Sequence, residues 1–438
     1  MIRRAAGMWT ILRELPGQTR VPFLPPERVD NLRDERVRAT VAHAAATVPY
    51  YRDLFCERDI DPRDIRTADD LLELPLLSKE AVLAAPERFR SEREAGAVCL
   101  RTWGSTGLAM DVWHDRRSLL ANVAYGERER AVDRAFVGRR TRYRILLITR
   151  TGSTPSKIHS FYAGASFRPL RPRRHYLSVE ADPDAVVEEI GRVRPAVIEG
   201  YGAHLEAVFR ALAVRGVELP HHPAVVHYGA ERMEPQGRAL IEQRFGIPVV
   251  AHYSAAESLK IGFTCEHRDG YHLHVDLCHV STRRPDGRLA AEGEVGEIVI
   301  SNLVNRATVL LNYRLGDLAA LRAGQCPCGR TSALIEELDG RVARIIHLPD
   351  GTLVHEAAVG AAILASDAIV RSRLVQHEPA RFELLLETDD AAAFERATAV
   401  IVPRLREVLR GAEVVTSRAA SLAPEGGGKA TPIVVLPE

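Results

Sequence analysis

Between residues 142 and 253 short apolar runs alternate with amphipathic helical stretches, and this alternation restricts the fold more than any other feature. RYRILLITR (142–150) is followed by the helical DPDAVVEEIGR (182–192) and the short run PAVIEG; HLEAVFRALAVRG, PAVVHYG, PQGRALIEQRFG and IPVVAHYS come next. Strands of this kind, joined through helices, predict a parallel, doubly wound α/β sheet. In such a sheet ligands collect outside the carboxyl ends of the strands. The residues that close PAVVHYG and IPVVAHYS are therefore the first to inspect for chemistry.

Other segments keep other rhythms. Residues 30–60 read as a helix with Val37, Val41, Ala44 and Ala45 on its apolar positions, broken by Pro49 at VPYYRDLF. LSKEAVLAAPERF is a short helix with Ser78 as N-cap and Pro86 as its stop. From about residue 271, YHLHVDL, GEVGEIVISNL and VLLNYRLGDLAAL bring closer strands and glycine-rich turns, as in an antiparallel, barrel-like subdomain. After Asp339-Gly340 mixed α and β elements return: ARIIHL, VHEAAVGAAILAS, RFELLLET and AAAFERATAVIVPRLREVL. At 438 residues the chain exceeds what one core usually serves. The expected architecture is a large N-terminal region (1–340) of doubly wound sheets plus the barrel-like part, and a small α+β C-terminal domain (341–438). No repeat or low-complexity tract interrupts it, and FLPPE reads as a local connector.

Charge narrows the partners. The 59 basic and 58 acidic side chains leave a formal charge of +1, so neither nucleic acid nor a charged membrane surface is an expected partner. The chain has no apolar run of 18 residues, and MIRRAAGMWTILRELPG is interrupted by Arg13 and Glu14 where a secretion signal would be continuous. Six cysteines are too few for a disulfide scaffold in a chain of this length. A cytoplasmic protein is expected.

RTWGSTGLAM (101–110) places Gly104, Ser105, Thr106 and Gly107 in a row. A loop that bends this sharply while presenting hydroxyls and N–H groups suits a phosphate. Four later features bear on it: Gly229-Ala230-Glu231 after one strand, Tyr253 and Glu257 in YSAAE after the next, Asp317 in NYRLGD, and Lys429 after three glycines. A flat tyrosine face, a carboxylate for a metal, a carboxylate for ribose hydroxyls and a compact cation for a phosphate oxygen are what a bound nucleotide needs. Taken singly, Glu231 and Glu257 read equally as solvated strand ends, Asp317 as a turn residue and Lys429 as a surface lysine. Their order and spacing together favour the site.

Eight motifs in sequence, VPYYRDLF, LPLLSKEAV, TWGSTG, GAE, YSAAE, YRLGD, CPCGR and the late GGGK, resemble those of the adenylate-forming superfamily of acyl-CoA synthetases, adenylation domains and luciferases. The resemblance runs from about residue 37 to 438 and is strongest to the phenylacetate–CoA ligase-like branch. It implies a nucleotide-binding region with a small mobile C-terminal domain. It implies ATP-dependent activation of a carboxylic acid, aromatic or arylacetic, to an acyl-adenylate, and transfer of the acyl group to CoA. By position, Ser105, Thr106 and Gly107 would hold the ATP phosphates; Gly229, Ala230 and Glu231 would line the adenine; Tyr253 would stack on it. Glu257 would hold Mg²⁺, Asp317 the ribose hydroxyls, Arg341 in LDGR would sit beside ribose and hinge, and Lys429 would neutralise charge in the adenylation step. The acid pocket is expected around Tyr201, His204, His227 and Tyr228, each of which reads equally as core packing or turn formation.

This chain departs from the pattern in three places. TGLAM lacks the usual proline and lysine after TG, YSAAE has Ala256 where a hydroxyl is usual, and VARIIHLPDGTLVHE replaces the usual acidic hinge and glycine-rich segment. Adenylation is thereby better supported than thioester formation. An amide-forming ligase with an amine acceptor, transfer to a carrier-protein thiol, and a nucleotide-binding relative without turnover stay open, as does a homodimer.

A second constellation is metal-like. CPCGR holds Cys326 and Cys328 in a tight turn, and CEHRDGYHLH offers Cys265, His267, His272 and His274. Two thiols one residue apart are badly placed to pair with each other but can face one ion, so Cys265, one histidine and this pair make a tetrahedral Cys₃His zinc set. Free thiols and solvated histidines are the plainer reading. The resemblance points to His272, and four protein ligands would make the site structural. Cys278, His279, His221 and His222 read as structural residues.

Overall fold

The computed structural model describes residues 2–94, 96–102, 110–138, 143–165, 173–324, 326–341, 346–350, 352–354, 356–363, 365–366, 368–422 and 433–434. The chain forms two compact units: Met1–Tyr143, Thr151–Arg173 and Val250–Leu338 make the first, and Arg144–Arg150, Arg174–Val249 and Asp339–Glu438 the second.

In the first unit the helix Pro26–Thr47 buries Val37, Val41 and Ala44 at helical spacing. It ends at Thr47, and Pro49 opens a new helix, Pro49–Glu57, so VPYYRDLF is helical rather than a break. The reason is positional: at the first turn of a helix proline's missing N–H is one that would be unsatisfied anyway. Tyr51, Leu54 and Phe55 of this second helix pack with Val37, Val41, Leu71 and Leu311 in one core. Ser78 caps Lys79–Ala84 by accepting the Ala81 N–H (3.2 Å), and Pro86 follows its end, as the sequence predicts.

The strands of this unit run in the order Cys278–Arg283, Val295–Asn302, Tyr313–Arg322, Leu334–Arg341, Tyr271–Leu273, Gly262–Thr264, Val249–Tyr253. Cys278–Arg283 with Val295–Asn302, the latter with Tyr313–Arg322, and the consecutive pairs from Leu334–Arg341 through Val249–Tyr253 are antiparallel. Glu297 faces Leu318 while Val299 faces Arg314, so Leu315, Gly316 and Asp317 oppose Ile298 alone. Gly316, at φ +80°, supplies the left-handed backbone of this bulge. A separate hairpin pairs Val98–Arg101 with Asp111–His114, and its neck is tied by Thr102 N–H to the Met110 carbonyl (2.8 Å) and by Met110 N–H to Thr102 Oγ1 (3.0 Å). The glycine–hydroxyl loop expected to bind phosphate connects these two strands, and residues 103–109 lie outside the described residues.

In the second unit Val225–Gly229, Val197–Tyr201, Arg144–Thr149 and Arg173–Ser178 lie side by side, the first three parallel, with Ile145 beside Val197 and Val197 beside Val225. Helices Pro183–Val193, Gly202–Val214 and Pro235–Arg244 follow the expected alternation, burying Ile190, Leu205, Phe209 and Ile241 against Leu146, Ile148, Ile198 and Val226. A smaller sheet in the order Glu413–Ala419, Arg381–Glu387, Arg371–Glu378, Ile433–Val434 has its own core, with Leu374, Phe382 and Leu384 packed against Ile401 and Leu405 of the helix Ala391–Val408. The fold is the expected mixed α/β class, with a large multi-strand sheet and a smaller C-terminal one.

Candidate functional site

In the first unit the strand Val249–Tyr253 runs directly into a tight turn. Ala255 N–H donates to the Ser258 carbonyl (3.0 Å) and Ser258 N–H returns a bond to the Ala255 carbonyl (3.2 Å). Side chains from outside clamp this turn: His114 Nε2 bonds the Ala256 carbonyl (2.7 Å) and Asn302 Nδ2 donates to the Glu257 carbonyl (2.8 Å). Burial alone holds His114 below the ordinary histidine range, so it is neutral and donates here. Glu257 is buried and its carboxylate takes a bond from the Tyr313 hydroxyl (3.4 Å). Tyr313 belongs to NYRLGD, the segment that also carries Asp317. Three of the expected site residues therefore meet here: Tyr253 and Asp317 are joined directly, the tyrosine hydroxyl donating to Asp317 Oδ2 at 2.6 Å, and Glu257 is tied to the same strand. The Tyr253 ring stands edge-on to Tyr271, with centroids 6.3 Å apart.

In the second unit the parallel register sets Tyr201 beside Gly229 and Gly200 beside Tyr228, so the two strands end together. Past that end Ala230 adopts φ +63° and the Glu231 N–H donates to the Gly229 carbonyl (2.7 Å), which turns GAE back on itself in three residues. This left-handed backbone is one that residues with a Cβ adopt uncommonly. Gly202 lies against this turn: a Cβ there would come within 2.4 Å of the Glu231 carbonyl oxygen. Tyr201 shares a hydrogen bond with Thr149 (3.2 Å), and His227 is buried within its strand. His204, on the first turn of Gly202–Val214, is lowered to about 4 by burial and by the Arg371 and Arg150 charges, so it is neutral near pH 7.

The metal-like constellation assembles within the first unit. Ligand atoms of Cys265, His272, Cys326 and Cys328 lie within 4.8 Å of one another. Cys265 and Cys326 sulfurs are 3.6 Å apart, and Cys328 Sγ is 3.4 Å from His272 Nε2. Backbone N–H groups of His267 and Arg330 donate to the Cys265 and Cys328 sulfurs (3.4 Å each), and His272 Nδ1 faces the Ser332 hydroxyl (3.5 Å). Amide donors to sulfur and a partner for the second imidazole nitrogen are what hold metal ligands in place. Pairing of His272 with Leu334 is what brings this histidine to the Cys326–Cys328 turn, while His274 bonds Glu129 (3.4 Å) instead. Cys278, pushed up to about 12 by burial, and His221 and His222, bonded to the Pro195 and Phe245 carbonyls (3.0 and 2.8 Å), have the structural surroundings expected of them.

One group of residues escaped the sequence reading. Arg128 grips Asp276 through two nitrogens (2.6 and 2.9 Å), Arg36 adds a third bond to it (2.9 Å), and Lys260 pairs with Glu129. Burial raises both carboxyls, but Arg128 at Asp276 and Lys260 at Glu129 outweigh it and hold both well below the usual carboxylate range. ERERAVDR has the composition of a solvated helix face, yet Arg128, Glu129 and Asp133 are buried. Val132 shares a helix face with Arg128 and Glu129, and that this face is buried becomes visible only once their partners at 18, 260, 274 and 276 are known. Among the other expected residues, Arg341 closes the strand Leu334–Arg341, whereas Ser105, Thr106, Gly107 and Lys429 lie outside the described residues.

No family model matches the chain. Over 372 residues it is 27% identical to the phenylacetate-coenzyme A ligase of Thermus thermophilus, a match covering 81% of this chain and 79% of that protein. The phenylacetate-coenzyme A ligase of Escherichia coli is 25% identical over 334 residues, covering 72% of this chain and 71% of that protein. Among solved structures, a 2-hydroxyisobutyryl-CoA ligase in the postadenylation state superposes with a TM-score of 0.74 at 18% identity, covering 96% of this chain and 91% of that one.

Proposed function

We infer that this chain, which belongs to the phenylacetate–CoA ligase-like branch of the adenylate-forming superfamily, activates a carboxylic acid with ATP and passes the acyl group to CoA. The observation that carries the reading is the likeness to phenylacetate-coenzyme A ligases over as much as 81% of this chain, together with the convergence of Tyr253, Glu257 and Asp317 on one strand end. In the first half-reaction a carboxylate oxygen attacks the α-phosphorus, the bond to the β-phosphate bridging oxygen breaks, and pyrophosphate leaves. In the second, the CoA thiol adds to the acyl carbon, AMP leaves, and the thiol proton is released.

The first step brings anions together, and its cost is electrostatic. Mg²⁺, when bound, supplies charge neutralisation at the phosphates. The Glu257 carboxylate, buried on a doubly clamped turn, is the group we assign to hold it. Lys429 is assigned the developing charge, Ser105, Thr106 and Gly107 the phosphates, Asp317 and Arg341 the ribose, and Gly229, Ala230, Glu231 and Tyr253 the adenine. The tight, strained GAE turn suits backbone contact with a flat base. Tyr201, His204, His227 and Tyr228 are the residues proposed to surround the acid, an aromatic or arylacetic one by analogy with the relatives' names. Residues 341–438 are read as a separate C-terminal domain.

Cys265, His272, Cys326 and Cys328 fit a closed zinc site, three sulfurs and one imidazole with preset supporting bonds. With four protein ligands the ion would hold structure and leave no position for substrate. Among the described residues no helix is long and apolar enough to cross a membrane, and a cytoplasmic enzyme is the reading we adopt.

The test is pyrophosphate release with ATP and Mg²⁺ across carboxylic acids, with CoA or hydroxylamine as acceptor. Release with some acid, trapped as hydroxamate and converted to thioester by CoA, is expected. ATP binding without release for any acid class would overturn the reading. Lys429→Ala should abolish acid-dependent release while ATP still binds.

A further inference from the structure

Within the second unit, the start of the helix Gly202–Val214 supports the segment that runs from Gly229 into the next helix. Gly202 lies against its middle, where a Cβ would meet backbone atoms of Glu231, Arg232 and Met233 at 2.4–2.7 Å. Glu206 stands one turn further along the same helix face and reaches the end of the segment, its Oε2 accepting the Glu234 N–H at 3.1 Å. Glu206 is buried, and Arg210, another turn along, bonds its other oxygen at 3.0 Å. Neither charge has a part in the reaction proposed above.

Glu234 is the residue that precedes the helix Pro235–Arg244, and its own side chain makes no cap. In a capping box the third residue of the helix returns a Glu or Gln side chain to this N–H. Here that third residue is Gly237, which has no side chain to return. A Cβ added at Gly237 would fall 2.3–2.5 Å from Cδ, Oε2 and Cγ of Glu206. A carboxylate from the neighbouring helix therefore fills the place of the missing one. Burial raises the Glu206 carboxyl against the pull of Arg210, and a buried ion pair adds little stability that apolar residues could not match. What the pair supplies is a fixed position for Glu234.

That position governs a short loop. Ala230 at φ +63° and the bond from Glu231 N–H to the Gly229 carbonyl set its beginning, and buried Met233 ties it to the core. We propose that Glu206 is a positioning residue for the turn Gly229-Ala230-Glu231: by capping Glu234 from outside, it sets where this turn meets the adenine of ATP. It acts through the backbone and not on the nucleotide. The proposal rests on the reading of these three residues as the adenine site.

The experiment uses the full chain. MgATP and MgGTP are titrated by calorimetry, amide exchange is followed at residues 229–234, and thermal melts verify folding. Glu206→Ala should weaken ATP binding about tenfold and lower the preference for ATP over GTP by a similar factor, with faster exchange in the segment. Glu206→Gln, which keeps an acceptor for the Glu234 N–H, should stay within about threefold of the wild type. In the Glu206→Ala background, Gly237→Glu returns a carboxylate from the third helical position and should restore most of the preference. Should Glu206→Ala fail to melt cooperatively, the charge-balanced Glu206→Leu/Arg210→Met carries the same comparison. An unchanged ATP-to-GTP ratio in a folded variant, or no recovery on adding Gly237→Glu, overturns the proposal. If the wild type still releases pyrophosphate with ATP and an acid, that failure leaves the adenylation reading intact. A wild type that binds ATP no better than GTP sinks the adenine assignment itself, and this proposal with it.

Discussion

The Tyr253 hydroxyl donates to Asp317 Oδ2 at 2.6 Å, and both side chains are more than nine-tenths buried. The bond depends on the bulge at Gly316, which interrupts the pleat and re-aims Asp317. Tyr253→Phe leaves a buried carboxylate without this donor and should lower stability by about 1–3 kcal/mol in urea unfolding. Asp317→Asn keeps an acceptor oxygen and should cost less. Equal losses, or none, would show that the bond does not hold the strand end.

Gly202 and Gly316 should respond differently to alanine. At Gly316 an added Cβ meets nothing within 4 Å, so only the left-handed backbone is strained, a cost of about 1–2 kcal/mol. At Gly202 it would meet backbone atoms of Glu231, Arg232 and Met233 at 2.4–2.7 Å, and backbone must move. Gly202→Ala should therefore melt lower than Gly316→Ala and weaken ATP binding as well, measured by thermal melts and ATP titration.

Elemental analysis of the purified chain should find about one zinc per molecule, the loading expected of a single closed four-ligand site. Chelation, or Cys328→Ser, should remove it and lower the melting temperature, whereas Cys56→Ser, at an exposed thiol, should do neither. Far substoichiometric zinc in protein grown with the metal would eliminate the site.

Acid should destabilise the fold partly through His204. Its folded value of about 4 lies below the ordinary 6.5, so between these limits the unfolded chain binds the extra proton. The stability is present above pH 6.5 and is lost as pH falls toward 4. Burial comes first among the causes, with Arg371 and Arg150 adding to it. His204→Gln should flatten the stability–pH curve in this window; His279, also lowered to about 4, keeps a residual slope. An unchanged slope would mean that His204 titrates normally.

The candidate residues that the structure brings together, Tyr253, Glu257 and Asp317 and the Cys/His set, were legible because their signals are local. Strand ends, a glycine before Asp317, a serine before a short helix and a CPC turn are carried by neighbouring residues. Pro49 shows the limit of local signals: proline both ends and begins helices, and only the partner core of Tyr51, Leu54 and Phe55 decides which. The buried charges of ERERAVDR could not be read at all, because their partners lie up to 148 positions away, as Asp276 does from Arg128.

By itself the sequence determined which residues have the right chemistry and how elements alternate, since apolar period, caps and breakers act over a few residues. The tertiary structure decided the rest. Pairing with Leu334 selects His272 over His267 and His274, and the register of two parallel strands sets Tyr201 beside Gly229. A three-residue bulge turns Asp317 onto Tyr253. Each of these choices depends on contacts between residues distant in the chain, where register and burial are set by packing that no local pattern encodes.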